Sequence, residues 1–574
     1  MGNELSPVYT LKNECHDCYK CVRECHVKSI QIQDGSASVL ADRCIACGHC
    51  VTICPANAKR IRRDIDKVKT VLASKKKVIV SLAPSWVSVF DYSKSEIITI
   101  LKKLGFHSVS ETALGAQEVS IKVAQILNTE DNGLFISSAC PVIVDYIRLY
   151  KPEFAKYITP IASPALTHAK MLKDEYGDDI GIVFIGPCIA KKNESDNNQD
   201  LLDVSLTFDE LNYWIKDSYI DIKKLEIKKD ETFIPKEANE GSLYPMLGGM
   251  NETLRYMGLD ENVHLVDICT LQSLDKALNG IQPDKIKEKI FVEALGCDGG
   301  CINGPGISLG KSTLIKTSDV LNNFIKRDNI PTEPKTVVNM EYKPSETKKH
   351  EFHPDEIRKI MERIGKHNEE DELNCGGCGF QTCRELANAI LAGEAEPSMC
   401  TSYMRKIALR KAAAMLRCMP SAMVMIDNKN QILESNDAFM KMFCGDMYEI
   451  FAERPEGVNG ADIDRMIPFA DLLKTALKTG KDIHKEHYSC GNKMYDINIF
   501  IIEENEIVGA IITDVTQSEL NREKIAERAK QVISKNIAKV QEIAILLGEH
   551  MVETELLLST IADDYTTDEN KKEE

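Results

Sequence analysis

The sequence predicts a multidomain α/β protein, and three observations support this fold class. The chain has 574 residues, and at roughly 150 residues per domain this length corresponds to about four domains. In residues 78–326, short apolar runs alternate with longer stretches of helical periodicity, which is typical of parallel strands joined by crossover helices. Twenty cysteines occur mostly in closely spaced groups. Because reducing compartments rarely keep disulfides, such groups more often bind metal.

Charge and hydropathy exclude several classes of partner. Lys and Arg number 71 against 88 Asp and Glu, a formal net charge of −17, which argues against general affinity for nucleic acid or anionic membranes. The most apolar stretch, residues 78–90, is interrupted by Ser81, Pro84 and Ser85, so no transmembrane helix is expected. Residues 1–6 lack the basic and apolar regions of a secretory signal. They fit the loose N-myristoylation pattern, but we expect a cytoplasmic protein without a membrane anchor.

Shifts in composition divide the chain into six segments. Residues 1–70 are polar and rich in cysteine, and residues 77–330 form the alternating α/β region. Residues 331–370 are rich in Pro, Lys, Glu and Thr and are predicted to be a linker that ends in a helix at about 354–365. The remaining segments are a second cysteine-rich module at 371–406, a mixed α/β domain at 407–516, and a long amphipathic helix with a charged tail at 517–574.

Two cysteine groups with the same spacing, Cys-x2-Cys-x2-Cys-x3-Cys, lie in residues 1–70. This repeat is found in two-cluster bacterial ferredoxins, in which the fourth cysteine of each group binds the other cluster. The alternative, a zinc ribbon, needs only two cysteine pairs and would leave four of the eight thiols idle. His26 stands where the first group usually carries proline, which removes no ligand. We therefore assign one [4Fe-4S] cluster to Cys15, Cys18, Cys21 and Cys54, and a second to Cys44, Cys47, Cys50 and Cys25.

A third group has the spacing Cys-x2-Cys-x4-Cys-x16-Cys and resembles the small four-cysteine iron–sulfur module of several redox chains. Its members are Cys375, Cys378, Cys383 and Cys400. We expect a third [4Fe-4S] cluster that relays electrons. A structural zinc site stays open, because four thiolates alone do not distinguish zinc from iron.

In the α/β region, three apolar runs each end close to a cysteine. Residues 133–138 lead to Cys140, residues 181–186 to Cys188, and residues 289–296 to Cys297, with Cys301 one turn further on. The carboxyl ends of parallel strands line the crevice in which α/β proteins bind ligands. The four thiolates are therefore expected to converge, and they could hold a cubane in a water-poor site.

Three motifs around these cysteines resemble the signatures of [FeFe]-hydrogenases over about residues 77–330. They are Ser137-Ser138-Ala139-Cys140-Pro141, Pro187-Cys188-x2-Lys191-x2-Glu194 and Glu293-x3-Cys297-x2-Gly300-Cys301-x2-Gly304. The resemblance implies that Cys140, Cys188, Cys297 and Cys301 hold a [4Fe-4S] cubane, which Cys301 bridges to a two-iron subcluster with CO, cyanide and a dithiolate. It also implies that Lys191 faces one cyanide and that Pro84 and Ser85 face the other.

Departures from the family pattern concern proton delivery. Ala139 replaces the cysteine that passes protons to the active site, and a methyl group cannot relay a proton. Gly186 and Leu295 replace two methionines that flank the site. Glu118 and Ser163 loosely match the outer proton path, although they could equally be a solvated Glu and a helix-capping Ser. These substitutions resemble the sensory, HydS-like branch of the family.

The last third of the chain looks like a sensor. Residues 415–515 resemble a PAS domain, with strands expected at 423–427, 432–436, 494–502 and 506–513. His484 and His487 could bind heme or metal, but histidines in a polar loop, where we place both, are usually solvated, so we expect no PAS cofactor. Cys269, Cys418, Cys444 and Cys490 are expected to be core or surface thiols.

The final helix carries apolar residues in steps of four and three, which predicts a coiled coil and a homodimer, although the stripe could also pack on the chain's own body. The stripe consists of Ile533, Ile537, Val540, Ala544, Leu547, Met551, Thr554, Leu558 and Ile561.

The preferred hypothesis is an H2 or redox sensor with slow H2 oxidation or proton reduction. The signal would pass through the iron–sulfur clusters to the PAS domain and the coiled coil, and then to an external kinase or phosphatase. Two alternatives stay open: a catalytic hydrogenase that exchanges electrons with ferredoxin, and a non-catalytic iron–sulfur electron-transfer or scaffold protein with cubanes only.

Overall fold

The computed structural model describes residues 6–221, 224–227, 231–308, 310–326, 333–345, 350–452 and 458–569, without the side chains of residues 452 and 564–569. Most of the N-myristoylation pattern (residues 1–5) and the last part of the charged tail (residues 570–574) lie outside the described residues. The chain forms two compact units, residues 1–404 and 405–574. Within the described residues, no helix combines the length and the apolar character that a bilayer span requires.

Residues 1–70, the ferredoxin-like domain, contain two antiparallel strand pairs and two short helices. The elements are β1 (Val8–Thr10), α1 (Lys20–Glu24), β2 (Ile30–Gln33), β3 (Ser36–Val39), α2 (His49–Thr52) and β4 (Lys59–Ile61). Strand β1 pairs with β4, and β2 pairs with β3. A left-handed residue precedes each helix, Tyr19 (φ 56°) before α1 and Gly48 (φ 77°) before α2. These turns reverse the chain inside each cysteine group, so that its first three members can face one point.

Residues 77–330, the hydrogenase-like domain, contain two parallel sheets rather than one. Helix α3 (Ile65–Ser74) leads into the domain, and its sheets have the strand orders β6-β5-β8-β9 and β10-β11-β7. The elements are β5 (Val78–Leu82), α4 (Lys94–Lys103), β6 (Ser108–Glu111), α5 (Ala113–Thr129), β7 (Gly133–Ile136), α6 (Pro141–Tyr150), α7 (Pro164–Tyr176), β8 (Gly181–Gly186), α8 (Ala190–Asn197), β9 (Val204–Thr207), α9 (Phe208–Asp217), α10 (Gly249–Tyr256), β10 (Val263–Cys269), α11 (Leu271–Leu278), β11 (Lys289–Leu295) and α12 (Thr313–Asn323). The strands are mostly buried apolar runs, as in sheets covered by helices on both faces.

The second cysteine-rich module lies between three helices. The helix expected at 354–365 is α13 (Pro354–Arg363), which is followed by α14 (Cys383–Leu391) and α15 (Thr401–Cys418). Pro354 at the first position and His353 as the capping residue explain where α13 begins. One apolar cluster joins Met361, Leu386 and Met399 of this region to Ile30 and Ile32 of the ferredoxin-like domain.

The second unit contains a five-stranded antiparallel sheet with the strand order β13-β12-β16-β15-β14. Its elements are β12 (Ala422–Asp427), β13 (Ile432–Ser435), α16 (Asp437–Phe443), α17 (Tyr448–Ala452), α18 (Ala470–Thr479), β14 (Ile483–Cys490), β15 (Lys493–Glu503), β16 (Ile507–Asp514) and α19 (Thr516–Glu569). The sequence analysis missed β14 and placed His484 and His487 in a loop. Both lie on this edge strand, whose side chains are mostly exposed and polar and therefore give no apolar alternation.

Helix α19 has 54 residues. The residues of its apolar stripe are exposed; Ile533 is 57% exposed and Leu547 is 62% exposed. The coiled coil and the alternative packing of the stripe both stay predictions.

Candidate functional site

Four cysteines from different parts of the sequence line one cavity of about 100 Å3 at the carboxyl ends of the two sheets. Cys140 follows β7 and precedes α6, which begins at Pro141; Cys188 follows β8; and Cys297 follows β11. Cys301 opens a short 3-10 turn, Cys301–Asn303. This volume is several times the roughly 10–15 Å3 that one water molecule needs. The convergence expected from the sequence is therefore what the structure has.

The cavity is apolar, and this raises the pKa of every thiol in it. Burial raises the pKa of Cys188 to about 11, and it raises the pKa of Cys140, Cys297 and Cys301 as well. The Lys191 ammonium works in the opposite direction at Cys140, Cys188 and Cys301. Thiols of this kind lose their protons when they bind a metal group, because the metal replaces the proton.

Lys191 reaches the cavity from α8 and is held by two partners. Its Nζ donates to Ser163 Oγ at 2.8 Å and to Glu194 Oε2 at 2.5 Å. The lysine and Glu194 are both largely buried, so the ion pair is shielded from solvent. Ser163 also caps α7, because its Oγ accepts from the backbone N–H of Leu166. Ser163 therefore has the capping role that the sequence left open and a contact with Lys191 in addition.

Ser85 and Ala139 occupy the cavity wall, as the sequence analysis expected. Pro84 and Ser85 begin the 3-10 turn Pro84–Ser88, which follows β5. The Ser85 Oγ is buried and has no hydrogen-bond partner among the described atoms. Ala139 presents only a methyl group, and its backbone N–H donates to Ser137 Oγ at 3.2 Å.

Glu118 does not reach the cavity. Its Oε2 accepts hydrogen bonds from the backbone N–H groups of Lys335 (2.6 Å) and Thr336 (3.2 Å). The structure therefore places Glu118 against the linker and Ser163 beside Lys191, and no hydrogen bond of the described residues joins Glu118 to Ser163.

Two other departures from the family pattern also lie at the cavity. A Cβ at Gly186 would lie 2.5 Å from Phe184 Cζ, so the ring of Phe184 fills the space next to this glycine. Phe184 and Leu295 both line the cavity.

Sequence reasoning missed two residues near the cysteines. Tyr244 lines the cavity and its hydroxyl shares a hydrogen bond with Ser120 (2.7 Å). Glu293 of β11 accepts from the backbone N–H of Asn251 at 2.9 Å, and burial raises its pKa to about 8. Glu293 was visible as the first residue of the third motif, whereas Tyr244 lies in an irregular segment that gives no periodic signal.

The ferredoxin-like cysteines form two sets that cross between the two groups. Burial raises the pKa of Cys21, and the charges of Cys15, Cys18 and Cys54 raise it further. Burial raises the pKa of Cys47 to about 12, with further contributions from Cys25 and Cys44. Each set thus contains the fourth cysteine of the other group, as the assignment from spacing requires. Cys25, Cys44, Cys47 and Cys50 also line one small cavity.

The four cysteines of residues 371–406, the four-cysteine module, surround a further small cavity. The backbone N–H of Gly377 lowers the pKa of Cys375, whereas burial raises the pKa of Cys378. Within the described residues, no three His, Cys, Asp or Glu side chains are placed to hold a single metal ion.

The second ferredoxin-like set lies next to the cavity of the hydrogenase-like domain. The charge of Cys47 contributes to the raised pKa of Cys297. Both cysteines also line a larger polar cleft of about 560 Å3, together with His26 and His49. A Cβ at Gly48 would lie 2.6 Å from Ile189 Cδ1 and from Pro305 Cγ, so only glycine permits this close contact between the two domains.

In two of its segments this chain is similar to iron–sulfur proteins of the hydrogenase large-subunit type. Residues 76–305 match the family described as iron only hydrogenase large subunit, C-terminal domain, and residues 7–55 match the 4Fe-4S dicluster domain. Residues 371–402 match a family of Fe-S cluster segments. The predicted hydrogenase-type domain and ferredoxin-type domain are thereby confirmed.

Three similar proteins show how much of this chain the similarity covers and how high the sequence identity is. Iron hydrogenase 1 of Clostridium pasteurianum is 27% identical over 310 residues, which are 44% of this chain and 54% of that protein. NADP-reducing hydrogenase subunit HndD of Solidesulfovibrio fructosivorans is 26% identical over 336 residues, 46% of this chain and 56% of that protein. A variant of apo [FeFe]-hydrogenase HydA1 from Chlamydomonas reinhardtii has a TM-score of 0.37 and 17% identity, covering 49% of this chain and 100% of that one. The chain thus spans about half the length of these two curated relatives.

Proposed function

We propose that this chain is an [FeFe]-hydrogenase-type oxidoreductase of low turnover that senses H2 or redox state. The observation that carries the proposal is the cavity in which four thiols converge beside an alanine. Cys140, Cys188, Cys297 and Cys301 would hold a [4Fe-4S] cubane, and Cys301 would link it to a two-iron subcluster with CO, cyanide and a dithiolate. When bound, this group supplies the metal centre at which H2 is cleaved or formed.

The cavity wall suits such a group. Thiolates are the protein ligands that iron–sulfur clusters take. The unpaired Ser85 hydroxyl is a donor that an anionic ligand such as cyanide would satisfy, and a buried hydroxyl without a partner is unfavourable. The Lys191 ammonium, which Ser163 and Glu194 hold in place, would add a positive charge beside a second anionic ligand. Most of the remaining wall is formed by alanine, proline, valine, leucine and phenylalanine side chains, which exclude water.

Slow turnover is expected from the residues that could carry protons. A positioned acid or base contributes roughly 100- to 10,000-fold to such reactions, and the Ala139 methyl group supplies none of this. Apart from the four cysteines, the titratable residues that line the cavity in the described chain are Lys191 and Tyr244. Lys191 is held by Ser163 and Glu194, and burial raises the pKa of Tyr244 above its usual range.

A signalling role is supported by the order of the modules. Cys47 lies next to the Cys297 site, and the four-cysteine module packs on the ferredoxin-like domain. Cys400 directly precedes α15, which leads in the sequence to the PAS-like sheet and α19. We infer that electrons exchanged at the cavity reach the four-cysteine module, and that α19 passes the signal to a second copy and to an external kinase or phosphatase.

The names of the relatives favour a second candidate, a catalytic hydrogenase that exchanges electrons with a carrier such as ferredoxin. A matured holoprotein separates the candidates. Under the sensor proposal, Ala139→Cys raises the H2 evolution rate about 100-fold or more. Ala165→Cys, which adds a thiol elsewhere in the same wall, leaves the rate nearly unchanged.

Two results would contradict the sensor proposal. A high rate in the unmodified protein without a gain in Ala139→Cys would favour the catalytic candidate. Infrared spectra without CO and cyanide bands after maturation would instead favour a scaffold protein with cubanes only.

A further inference from the structure

The four-cysteine module packs directly on helix α1 of the ferredoxin-like domain. One apolar cluster contains Cys21 and Val22 of α1 together with Cys378 and Cys400. Gly379 has φ +95°, and a Cβ there would lie 3.0 Å from the backbone N of Arg23. The backbone after Cys378 therefore comes close to the backbone of α1.

Lys28 lies at this contact. Its Nζ donates to the carbonyl oxygens of Val22 (3.2 Å) and Arg23 (3.0 Å) near the carboxyl end of α1, and the residue is half-buried. Burial lowers the pKa of Lys28, whereas the charges of Cys25, Glu385 and Cys378 raise it. The ammonium group is thus within electrostatic reach of one cysteine from each module.

We propose that Lys28 is a positioning residue whose single positive charge is shared by the clusters bound through Cys25 and Cys378, raising the reduction potential of both. The proposal rests on the proposed function only in requiring iron–sulfur clusters at these two sites. Each cluster gains one negative charge when it is reduced by one electron, and a nearby partly buried cation stabilises that charge. Electron transfer across the contact oxidises one cluster by one electron and reduces the other by one, so no proton or further reactant is needed.

A purely structural role for Lys28 makes different predictions. If the lysine only capped the carbonyl groups of α1, Lys28→Gln would keep a donor for them and leave both potentials in place. If the charge matters, Lys28→Gln lowers both potentials and Lys28→Arg preserves them. Lys359→Gln, at an exposed lysine of α13, is the matched control for loss of a surface charge.

The experiment is a redox titration of the full-length chain with its clusters, followed by electron paramagnetic resonance. We expect Lys28→Gln to change the reduced-to-oxidised ratio of both clusters about tenfold at a fixed potential, a negative shift of about 59 mV for one electron. Glu385→Gln removes a carboxylate near the same ammonium and should shift the potential of the four-cysteine cluster in the positive direction.

Three outcomes of the lysine variants would overturn the proposal. They are unchanged potentials in Lys28→Gln, a shift of only one cluster, and an equal shift in Lys359→Gln. If Lys28→Gln does not fold, Lys28→Met, which keeps the apolar part of the side chain without its charge, is titrated instead and must lower both potentials. Absence of a third cluster signal from the unmodified chain would overturn the proposal together with the predicted third cluster, whereas loss of H2 activity alone would leave the Lys28 result intact.

Discussion

Two buried serines of one turn beside the cavity give opposite predictions, and only Ser85 lines the cavity itself. Ser85 and Ser88 both lie in the turn Pro84–Ser88, and both are 0% exposed. Ser88 Oγ donates to Ser85 O at 2.7 Å, whereas Ser85 Oγ is unpaired within the described chain. In the cluster-free protein, we expect Ser85→Ala to raise the free energy of unfolding and Ser88→Ala to lower it.

The magnitude follows from the hydrogen bonds. A buried hydroxyl without a partner costs about 1–3 kcal/mol, and Ser85→Ala removes this cost. Ser88→Ala loses a hydrogen bond worth about 0.5–1.5 kcal/mol and takes the donor away from Ser85 O. The two variants should therefore differ by about 1.5–4.5 kcal/mol in the free energy of unfolding, although both lose one oxygen from the same turn.

Tryptophan fluorescence during urea unfolding measures this difference in the right domain. The chain has two tryptophans, Trp86 and Trp214, and both lie buried in the hydrogenase-like domain. A lower unfolding midpoint for Ser85→Ala than for the unmodified protein would refute the reasoning. In the matured protein, Ser85→Ala should shift an infrared cyanide band because it removes the hydroxyl that faces this ligand, whereas Ser88→Ala should leave the band in place.

Three further predictions use other features of the first unit. Lys192→Met removes the cation 2.8 Å from Glu210 and one of the cations beside Asp64, which keeps Arg62 at 2.9 Å. Because Glu210 then stays buried without its cation, the variant should cost about 3–5 kcal/mol by the same fluorescence assay, and a loss below about 1 kcal/mol would contradict the ion-pair argument. Burial raises the pKa of Glu293 to about 8, so the folded chain keeps a proton that the unfolded chain releases above about pH 4.3. The contribution of Glu293 to the free energy of unfolding is therefore complete below about pH 4.3 and is lost as the pH rises towards 8. Glu293→Gln should flatten this part of the stability–pH curve, and an unchanged curve would count against it. In Gly48→Val, the valine side chain collides with Ile189 and Pro305 and separates the two domains. The variant should keep all its clusters but transfer electrons more slowly between the ferredoxin-like clusters and the Cys297 site in stopped-flow measurements. Equal rates in the variant and the unmodified protein would show that this contact is not needed.

The sequence predicts the parallel strands well but not how they are grouped. The apolar runs at β5, β7, β8 and β11 mark buried strands, because strands covered on both faces are apolar throughout. All of these runs look alike, so nothing local shows that β7 pairs with β11 while β5 pairs with β8. Partner choice depends on contacts between distant residues, and a single sequence does not contain them.

Site residues that belong to a sequence motif were predictable, whereas those whose position depends on a distant segment of the chain were not. The spacing of the cysteines and the Lys191 motif placed those side chains correctly at the cavity. Glu118 was expected on the proton path, but its carboxylate binds backbone N–H groups of Lys335 and Thr336 in a linker without periodicity. Tyr244 was not predicted to line the cavity for the same reason, because its segment has neither a repeat nor a motif.

The loop at Arg43 contacts two neighbouring parts of the chain, the hydrogenase-like domain and the four-cysteine module. Tyr150 of the hydrogenase-like domain donates to Arg43 O at 2.7 Å, and the Arg43 guanidinium forms an ion pair with Glu394 of the four-cysteine module. Cys44 follows directly, so the shape of this loop depends on whether its cysteine is anchored to iron. These two contacts hold the backbone beside Cys44 from two sides, so loss of either neighbour would change the position of this thiol.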